Sequence, residues 1–350
     1  MPPAGILAKI VSTGDRRNRH ICNPGLFFER ISNLAEKLEG AAYLVMHPMK
    51  PVGEPLAVSL LFCTRNRAEQ LKPCLDHVAR LQTSHSWELI VVDNGSTDGN
   101  GQVLSQFKSE ASFPMTVLYE GRPGKSRGLN QALPLLRGSI VALIDDDCYV
   151  APDYIDRILE IFEDPRIGFA GGRVELFDPT DIPLTIQTST EPAYLPPYSY
   201  VEPGWILGAN MMFRRDVLLS VGGFDVDFGP GTPWYGDDPD VQARAGFAGW
   251  WALYAPTVSV AHHHRRKAAA AGPLNRTYSI GTGAYLAKHA ISPKTGPIYF
   301  RMTARRWYWW VRQALRGGNG LTVLGWEAKG AAGYLALRAR RKLSGCAAER

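Results

Sequence analysis

Four short apolar runs, separated by segments with helical periodicity, constrain the fold of this chain more than any other feature of its sequence. The runs LAVSLLFC, WELIVVD, MTVLYE and SIVALID occupy residues 56–63, 87–93, 115–120 and 139–145. Apolar side chains recur at helical spacing over residues 68–81, 103–107 and 126–136. Buried strands that alternate with amphipathic helices predict an α/β fold with a mainly parallel, doubly wound sheet.

Polar residues follow three of these predicted strands directly. The three polar clusters occupy residues 64–67, 93–98 and 145–147. Ligands of doubly wound sheets bind beyond the carboxyl ends of the strands. The positions of the clusters therefore predict one binding site to which all three contribute.

The third cluster consists of the adjacent carboxylates Asp145, Asp146 and Asp147, with no basic residue within six positions on either side. Adjacent carboxylates repel one another unless a cation neutralises them. Ligand sets of oxygen atoms favour a hard divalent cation, Mg²⁺ or Mn²⁺, which typically joins protein carboxylates to substrate phosphates. The alternative interpretation is a solvated acidic turn.

Two common nucleotide-binding motifs are absent from the sequence. No Gly-x-Gly-x-x-Gly or Gly-x4-Gly-Lys-Ser/Thr motif follows a predicted strand, which argues against a dinucleotide oxidoreductase and a P-loop NTPase. The segment GRPGKSRGLN at 121–130 instead places Lys125 and Arg127 just before a predicted helix. This arrangement would suit a diphosphate.

The regular alternation ends near residue 168. The second half is predicted to contain strands within 168–177 and 204–215, a proline-rich mobile loop over 178–203, a helix over 238–247 and a strand within 250–264. This half therefore departs from a simple doubly wound pattern.

Charge is distributed unevenly along the chain. Residues 262–350 contain 17 Lys and Arg against two acidic residues, whereas residues 56–261 contain 15 basic and 26 acidic residues. An acidic body with a basic C-terminal region predicts an anionic partner for that region: a membrane surface, a polyphosphate lipid or a nucleic acid.

Residues 300–316 predict an amphipathic helix in this basic region. Four arginines fall within a narrow arc, at Arg301, Arg305, Arg312 and Arg316, and aromatic and aliphatic side chains occupy the opposite side. This pattern is typical of a helix that lies in a membrane interface. The alternative is a helix that caps the domain with its arginines in water.

A second basic cluster at 335–342 favours an anionic membrane surface as the partner, bound through residues 298–342. No nucleic-acid-binding motif accompanies the basic region, and the acidic body would repel a long polyanion, so a nucleic acid partner is disfavoured. The sequence contains no apolar run long enough to span a membrane and no signal-peptide pattern. We therefore expect a cytoplasmic protein, with peripheral binding at the inner face of the membrane.

Seven motifs occur in order: VSLLFCTRNR, VVDNGSTD, GKSRGLN, IDDD, LGANMMFRR, GGFD and GDDPDV, with a histidine cluster downstream. Together they resemble the family 2 glycosyltransferases, which have the GT-A fold. The resemblance covers about residues 56–265 and implies three regions: an N-terminal extension (1–55), a GT-A glycosyltransferase domain (56–270) and a helical basic C-terminal region (271–350). We therefore expect a protein distinct from the large membrane-embedded synthases of the family, which carry spanning helices and a Q-x-x-R-W motif that this sequence lacks.

The resemblance implies a nucleotide-sugar site in which Asp93 accepts a hydrogen bond from the base and Arg127 approaches the diphosphate. The residues implied in donor binding are Thr64, Arg65, Arg67, Asp93, Asn94, Ser96, Lys125, Arg127, Asn130, Asp145, Asp146, Gly208, Ala209 and Asn210. Asp145 and Asp147 match the outer positions of the family's D-x-D motif, and Asp145, Asp147 and His262 are the implied metal ligands. For His262 the alternative is a solvated loop.

The implied catalytic residues are the acidic pair Asp237–Asp238. In the family this pair is usually Glu-Asp, and its second member is the base. Asp238 is therefore the candidate base, and Asp237, which has a shorter side chain, stands where the family usually has Glu. A helix N-terminus that favours acids through its dipole is the alternative interpretation. Trp234 and Tyr235 precede the pair and are candidate acceptor-binding residues, since sugar faces stack on aromatic rings.

The implied function is a metal-dependent, inverting transfer of a sugar from a nucleotide-diphospho sugar, with a UDP-sugar favoured. The acceptor hydroxyl would belong to a glycan or a lipid-linked acceptor, as in bacterial polysaccharide biosynthesis. Two alternatives remain at this point: a sugar-nucleotide nucleotidyltransferase, which would need no acceptor base, and a non-catalytic protein that binds glycans or lipids on the same scaffold.

Overall fold

A computed structural model describes residues 54–344 and arranges nine of their segments as one sheet. The strands are β1 (Leu56–Thr64), β2 (Trp87–Asp93), β3 (Met115–Tyr119), β4 (Gly138–Ile144), β5 (Cys148–Val150), β6 (Ile167–Leu176), β7 (Ala193–Leu195), β8 (Asn210–Arg214) and β9 (Trp251–His262). The helices are α1 (Ala68–Val78), α2 (Asn100–Glu110), α3 (Lys125–Ala132), α4 (Tyr154–Ile161), α5 (Arg215–Ser220), α6 (Asp237–Phe247), α7 (Ala271–Ala290), α8 (Gly296–Leu315) and α9 (Gly320–Leu343). Residues 1–53 of the predicted N-terminal extension lie outside this range.

The first four strands form the parallel half of the sheet, in the order β3-β2-β1-β4. Beyond β4, the strand β8 runs antiparallel to both β4 and β6, and β9 runs parallel to β6. The short strands β5 and β7 pair with β9 in antiparallel fashion. The predicted α/β fold with a mainly parallel sheet is confirmed for the first half, and the predicted break in the alternation corresponds to the antiparallel additions.

One predicted helix is shorter than its apolar pattern indicates. The pattern extends over 126–136, but α3 ends at Ala132 and a single 3₁₀ turn follows at Leu133–Leu135. Pro134 lies in this turn. Proline has no N–H to donate and its ring clashes with the preceding turn, so an α-helix cannot continue through it without a kink.

The parallel half is covered by apolar side chains on both faces. Leu60 and Phe62 of β1 pack into a core with Leu71 of α1, whereas the intervening Leu61 points to the opposite face and packs with Leu129 of α3. All of these side chains are buried. Each such burial contributes roughly 1.5–3 kcal/mol relative to an exposed side chain, which explains why consecutive apolar residues form these strands.

The three C-terminal helices pack against one another with little space between their backbones. A Cβ added to Gly283 of α7 would lie 1.8 Å from the carbonyl oxygen of Glu327 in α9. A Cβ added to Gly330 of α9 would lie equally close, 1.8 Å, from the carbonyl oxygen of Ile280 in α7. Glycine is therefore required at both crossings, because a side chain would force the helices apart.

Ion pairs and aromatic contacts join these helices to the sheet domain. Lys288 of α7 lies 2.6 Å from Asp225, and Arg341 of α9 donates to Asp227 at 2.8 Å. Tyr334 of α9 packs edge-on against Trp234, with 5.8 Å between ring centroids. None of the helices in residues 54–344 has the length and apolar character needed to cross a bilayer. Lys288, Tyr334 and Arg341 thus attach the predicted basic tail to the sheet domain.

We expect the substitution Gly330→Ala to lower the free energy of unfolding by about 1–3 kcal/mol, since the added methyl group overpacks the α7–α9 crossing. The matched control is Gly325→Ala on the same helix, where an added Cβ meets no atom within 4 Å. That control should raise the free energy of unfolding by about 0.5–1 kcal/mol, because alanine favours helix interiors over glycine. Denaturant unfolding of the two variants measures both changes, and equal stability of the two would contradict the crossing.

Candidate active site

A cavity of about 700 Å³ opens beyond the carboxyl ends of β1, β2 and β4. The three polar clusters at the strand ends meet here, as their positions predict. The predicted site residues that line it are Thr64, Arg65, Arg67, Asn94, Lys125, Asp145, Asp146, Asp147, Gly208, Ala209, Tyr235, Asp237, Asp238 and His262. Residues that are up to 200 positions apart in the chain thus share one cavity.

Asn94, directly after β2, connects the first two clusters to the loop that precedes α3. Its backbone carbonyl accepts a hydrogen bond from Arg65 Nη1 at 2.8 Å. Its side-chain oxygen accepts one from the Gly124 amide at 2.9 Å, and its side-chain nitrogen donates to the Glu120 carbonyl at 2.9 Å. Asn94 therefore fixes the loop whose end carries Lys125.

Asp93 and Ser96 lie beside Asn94 and shape the same turn. The Asp93 carboxylate accepts a hydrogen bond from the Ser96 amide at 2.8 Å. The Ser96 hydroxyl accepts a hydrogen bond from the backbone N–H of Asn66 at 2.9 Å. These two predicted site residues are outside the cavity lining and hold the turn that forms its wall.

Basic side chains balance the carboxylates of the Asp145–Asp147 triplet. Lys125 Nζ lies 2.5 Å from Asp145, and Arg67 Nη2 lies 3.5 Å from Asp147. Burial, followed by the charge of Asp147, raises the pKa of Asp146 to about 6. Burial alone would also raise the pKa of Asp147, but the hydrogen bond and the charge of His262 outweigh it and lower that pKa.

His262 reaches the triplet because β9 pairs with the short strand that follows it. The antiparallel register places His262 opposite Cys148, the neighbour of Asp147. His262 Nε2 lies 3.1 Å from Asp147 Oδ1. The next two histidines are used elsewhere: His263 contacts the Tyr149 hydroxyl at 2.9 Å, and His264 contacts the Ile182 carbonyl at 3.0 Å.

The donor atoms around Asp147 fit a divalent cation. Asp147, Cys148 and His262 each offer one ligand atom, and these atoms lie within 4.8 Å of one another. Burial raises the pKa of the Cys148 thiol well above its usual value, so it remains protonated and is a poor ligand. The remaining carboxylate oxygens suit Mg²⁺ or Mn²⁺, and of these two ions Mn²⁺ accepts an imidazole nitrogen more readily.

The acidic pair forms the first turn of α6 on the other side of the cavity. Asp238 Oδ2 accepts a hydrogen bond from the Gly208 amide at 2.8 Å. Burial, followed by the charge of Asp237, raises the pKa of Asp238 to about 7. A Cβ added to Gly208 would lie 2.3 Å from Asp238 Oδ1, so glycine is required for this approach.

A buried ion network fixes the position of this turn. Asp240, two residues beyond the pair, is fully buried. It accepts hydrogen bonds from Arg244 at 2.9 Å and from His289 at 3.0 Å, and Lys288 Nζ lies 2.5 Å away. Because Lys288 and His289 belong to α7, the C-terminal helices hold the acidic pair in place.

Four further predicted site residues lie outside the cavity lining. Asn130 bonds with its side chain to the backbone N–H and C=O of Phe224. Asn210 donates to the Arg173 carbonyl at 2.9 Å and accepts from the Tyr154 hydroxyl. Both asparagines thus satisfy backbone groups of neighbouring segments. Arg127 is half-buried on α3, beside the cavity.

Trp234, the fourth of these, is 8% exposed and packs into a core against Phe228 and Tyr334. This burial leaves no ring face on which an acceptor sugar could stack. The other candidate acceptor residue, Tyr235, does line the cavity. Trp234 therefore has a packing role.

The sequence analysis did not identify the wall that the C-terminal helices contribute. This wall consists of Asn275, Tyr278, Ser279 and Thr282 of α7 and Arg306 of α8, with Arg266 between β9 and α7. The α7 residues follow a spacing of three, one and three positions, which places them on one helix face. That spacing is the signal in the sequence that could have indicated them.

Residues 59–221 match the family model described as glycosyl transferase family 2. Glycosyltransferase AglE of Haloferax volcanii is 25% identical over 168 residues, which are 48% of this chain and 55% of that protein. Glucosyl-dolichyl phosphate glucuronosyltransferase of the same organism is 27% identical over 195 residues, 50% of this chain and 58% of that protein. The chain thus spans about half the length of the curated relatives it matches.

Among solved structures, the chain is similar to the mannosyltransferase PcManGT from Pyrobaculum calidifontis in complex with GDP-Man and Mn²⁺. The TM-score is 0.53 at 20% sequence identity, over 91% of this chain and 83% of that one. This likeness concerns the fold, which is GT-A-like as expected. The match of residues 59–221 to the family model agrees with the order of the motifs.

Proposed function

We propose that this protein transfers a sugar from a nucleotide-diphospho sugar to a hydroxyl of a glycan or lipid-linked acceptor, with inversion at the anomeric carbon. One observation carries the proposal: a single cavity contains both the acidic triplet with its basic partners and a half-buried carboxylate, that of Asp238, whose pKa is raised to about 7. The first set suits a departing diphosphate, and the second suits a general base.

The donor half of the cavity is the end formed by β1, β2 and β4. Thr64, Arg65, Arg67 and Asn94 line it next to the triplet, where the nucleoside would bind. Lys125 and Arg67 are positioned to balance the negative charge of the diphosphate, since both already lie against triplet carboxylates. The P. calidifontis neighbour, a structure in complex with GDP-Man and Mn²⁺, supports this class of donor.

A divalent cation would be held by Asp147 and His262, with Asp145, whose carboxylate lies 2.5 Å from Lys125, as a further candidate ligand. When bound, such an ion stabilises negative charge on phosphate oxygens as a Lewis acid. The protein's own contribution is to hold the Asp147 carboxylate and the His262 imidazole 3.1 Å apart. Arg67, 3.5 Å from Asp147, adds a positive charge at the same place.

Asp238 is the proposed base. As the acceptor oxygen forms its bond to the anomeric carbon, the bond from that carbon to the diphosphate oxygen breaks and the acceptor proton passes to Asp238. The Gly208 amide, 2.8 Å from Asp238 Oδ2, fixes the direction of the carboxylate. A single direct displacement on the face opposite the leaving group inverts the anomeric configuration, which is why we propose inversion.

We expect Asp238→Asn to lower kcat by about 10²–10⁴-fold while nucleotide affinity stays within twofold, because the amide cannot accept the acceptor's proton. Steady-state kinetics and nucleotide titration measure the two effects. The matched control is Asp76→Asn on α1, an aspartate whose ion pair with Lys72 lies on the surface. A fully active Asp238→Asn enzyme that releases pyrophosphate would instead indicate the nucleotidyltransferase alternative.

The assignment of Asp238 as the base predicts the direction in which kcat changes with pH. A base must be unprotonated, so the wild-type kcat should fall as the pH drops below about 7, where Asp238 becomes protonated. A rate that stays constant from pH 8 to pH 5 would contradict Asp238 as the base.

Thermal unfolding with UDP, GDP, dTDP and CDP, each with and without Mn²⁺, tests the donor site. We expect one nucleotide to stabilise the protein in a metal-dependent manner, by about 2.7 kcal/mol at one hundred times its Kd. The variant Asp147→Asn should lose the metal-dependent part of the shift. No shift with any nucleotide would contradict a donor site and favour the non-catalytic alternative.

We also propose that the outer face of α8 binds an anionic membrane surface. The inner side of this helix is fixed to the protein, since Trp307 and Trp310 both donate to the buried carboxylate of Glu327 at 3.1 Å. The outer side carries exposed apolar side chains, with Phe300 71% and Leu315 82% exposed. The four arginines that the sequence places on one arc are all exposed beside them, and α8 contains no acidic residue.

Liposome sedimentation of the full chain tests this surface. We expect Arg301→Gln/Arg305→Gln/Arg312→Gln to weaken binding to anionic vesicles by about 100-fold, since each arginine near such a surface contributes about 1 kcal/mol. The charge-matched control removes three exposed cations elsewhere, Lys72→Gln/Arg80→Gln/Lys108→Gln. Unchanged sedimentation of the α8 variant, or an equal loss in the control, would contradict the proposed membrane face.

A further inference from the structure

The lysine and arginine side chains that line the cavity differ in how their charge is balanced. They are Arg65, Arg67, Lys125, Arg266 and Arg306. Arg67 and Lys125 pair with the aspartate triplet, and Arg306 pairs with Glu202 and Glu327. Arg65 is exposed and donates to the Asn94 carbonyl. Within residues 54–344, the half-buried guanidinium of Arg266 forms no ion pair, and its hydrogen bond to the Tyr278 hydroxyl is long, at 3.5 Å. Its charge is therefore available to a ligand in the cavity.

The backbone of Arg266 is fixed by the turn that follows β9. The preceding residue, Arg265, has a φ of +59°, a conformation that residues other than glycine seldom adopt. Its backbone N–H donates to the buried carboxylate of Asp181 at 2.9 Å. The N–H of Arg266 donates to His264 Nδ1 at 3.0 Å, and the Arg266 carbonyl accepts a hydrogen bond from the N–H of Ile182 at 2.9 Å. Both backbone groups of Arg266 are thus occupied, which leaves its side chain for the cavity.

The guanidinium lies between the aspartate triplet and the segment that leads to the acidic pair. Its charge acts on Asp147 and His262, the residues proposed to hold the cation. Its hydrogen-bond partner Tyr278 belongs to α7, and the rings of Tyr278 and Tyr235 meet edge-on at 5.2 Å between centroids. A Cβ added to Gly281 of α7 would lie 2.1 Å from the Tyr235 carbonyl oxygen, so this helix packs directly against the segment before the pair. A group that extends from the triplet to the acidic pair therefore passes this arginine.

The proposed transfer creates a negative charge at this place. The nucleoside end of the donor is proposed to bind at the ends of β1, β2 and β4, and the acceptor proton is proposed to pass to Asp238, so the breaking bond lies between these two ends. When the bond from the anomeric carbon to the diphosphate breaks, its electron pair stays on the oxygen of the β-phosphate. Arginine suits this charge, because its planar guanidinium can donate two parallel N–H groups to phosphate oxygens.

We propose that Arg266 binds the β-phosphate of the departing nucleoside diphosphate and stabilises the charge that develops on it as the sugar leaves. Tyr278 orients the guanidinium from the α7 side and is a positioning residue. This inference rests on the proposed transfer function. It adds a residue that contacts the substrate from outside the segment 59–221 that matches the family model.

Nucleotide titration of the full chain with Mn²⁺ tests this contact. The probes are UDP, GDP, dTDP and CDP, each compared with its nucleoside monophosphate. We expect Arg266→Gln to weaken binding of the diphosphate about tenfold or more, since a hydrogen bond to a charged group is lost. Binding of the monophosphate, which has no β-phosphate, should stay within about twofold. Arg266→Lys keeps the charge without the parallel N–H groups, so it should retain part of the preference for the diphosphate.

Steady-state kinetics supply a second measurement. Arg266→Gln should lower kcat by about 10²–10³-fold, more than it lowers nucleotide affinity, because the charge on the β-phosphate develops fully only as the bond breaks. The matched control is Arg276→Gln, which removes an exposed arginine of α7 that lines a separate surface depression. This control should leave kcat and both affinities unchanged.

Thermal unfolding without nucleotide establishes that each variant is folded, and Arg266→Lys supplies the comparison if Arg266→Gln is not. Equal losses for diphosphate and monophosphate, or no loss for either, would overturn the inference. An effect of Arg276→Gln as large as that of Arg266→Gln would do the same. Failure of the transfer function itself would appear in the wild-type protein, as the absence of binding to every nucleoside diphosphate, whereas failure of the inference alone appears only in the variants.

Discussion

The arrangement of the cavity depends on one buried cation, Lys125. Five carboxylates converge on this space, Asp145–Asp147 from one side and Asp237–Asp238 from the other, and their mutual repulsion would be costly in a buried site. The ammonium group of Lys125 lies 2.5 Å from Asp145, and its charge also acts on both members of the acidic pair. Its positive charge lies between the two groups of carboxylates and offsets the repulsion between them.

Backbone contacts hold Lys125 in this position from both directions. The preceding residue, Gly124, donates its amide to Asn94 at the end of β2. Lys125 itself donates its amide to the Pro230 carbonyl at 2.9 Å, and the Ser126 hydroxyl donates to the Phe228 carbonyl. The start of α3 thus connects the strand-end clusters to the segment that leads to the acidic pair.

The family match and the cavity do not have the same extent. The matched residues, 59–221, contain the strand-end clusters, the triplet and Gly208. The acidic pair, His262 and the α7 wall all lie beyond residue 221, and the proposed base depends on α7 through the contacts of Asp240 with Lys288 and His289. Most of the proposed donor half therefore lies within the matched residues, whereas His262 and the proposed base belong to the region that follows them.

The parts of the site that the sequence predicts are those determined by local pattern. Apolar runs in the sequence predict the buried strands. The carboxyl ends of these strands then predict the positions of Asn94 and the aspartate triplet without knowledge of distant contacts. Asn210 and Trp234 have residue types suited to a sugar site, but their partners, Val258 and Tyr334, are 48 and 100 positions away. The polar face of α7 resembles an ordinary solvent-exposed face until Gly281 is placed against Tyr235.

The cavity and the proposed membrane face are joined by a single helix. Arg306 on the inner side of α8 lines the cavity, and Arg305, its neighbour in the chain, lies on the exposed outer side. An α-helix with its side chains is roughly 10–12 Å across, so a bilayer bound to the outer face would lie about one helix diameter from the cavity. The proposed lipid-linked acceptor would then reach the cavity across α8, with its phosphate at the membrane surface among the exposed arginines.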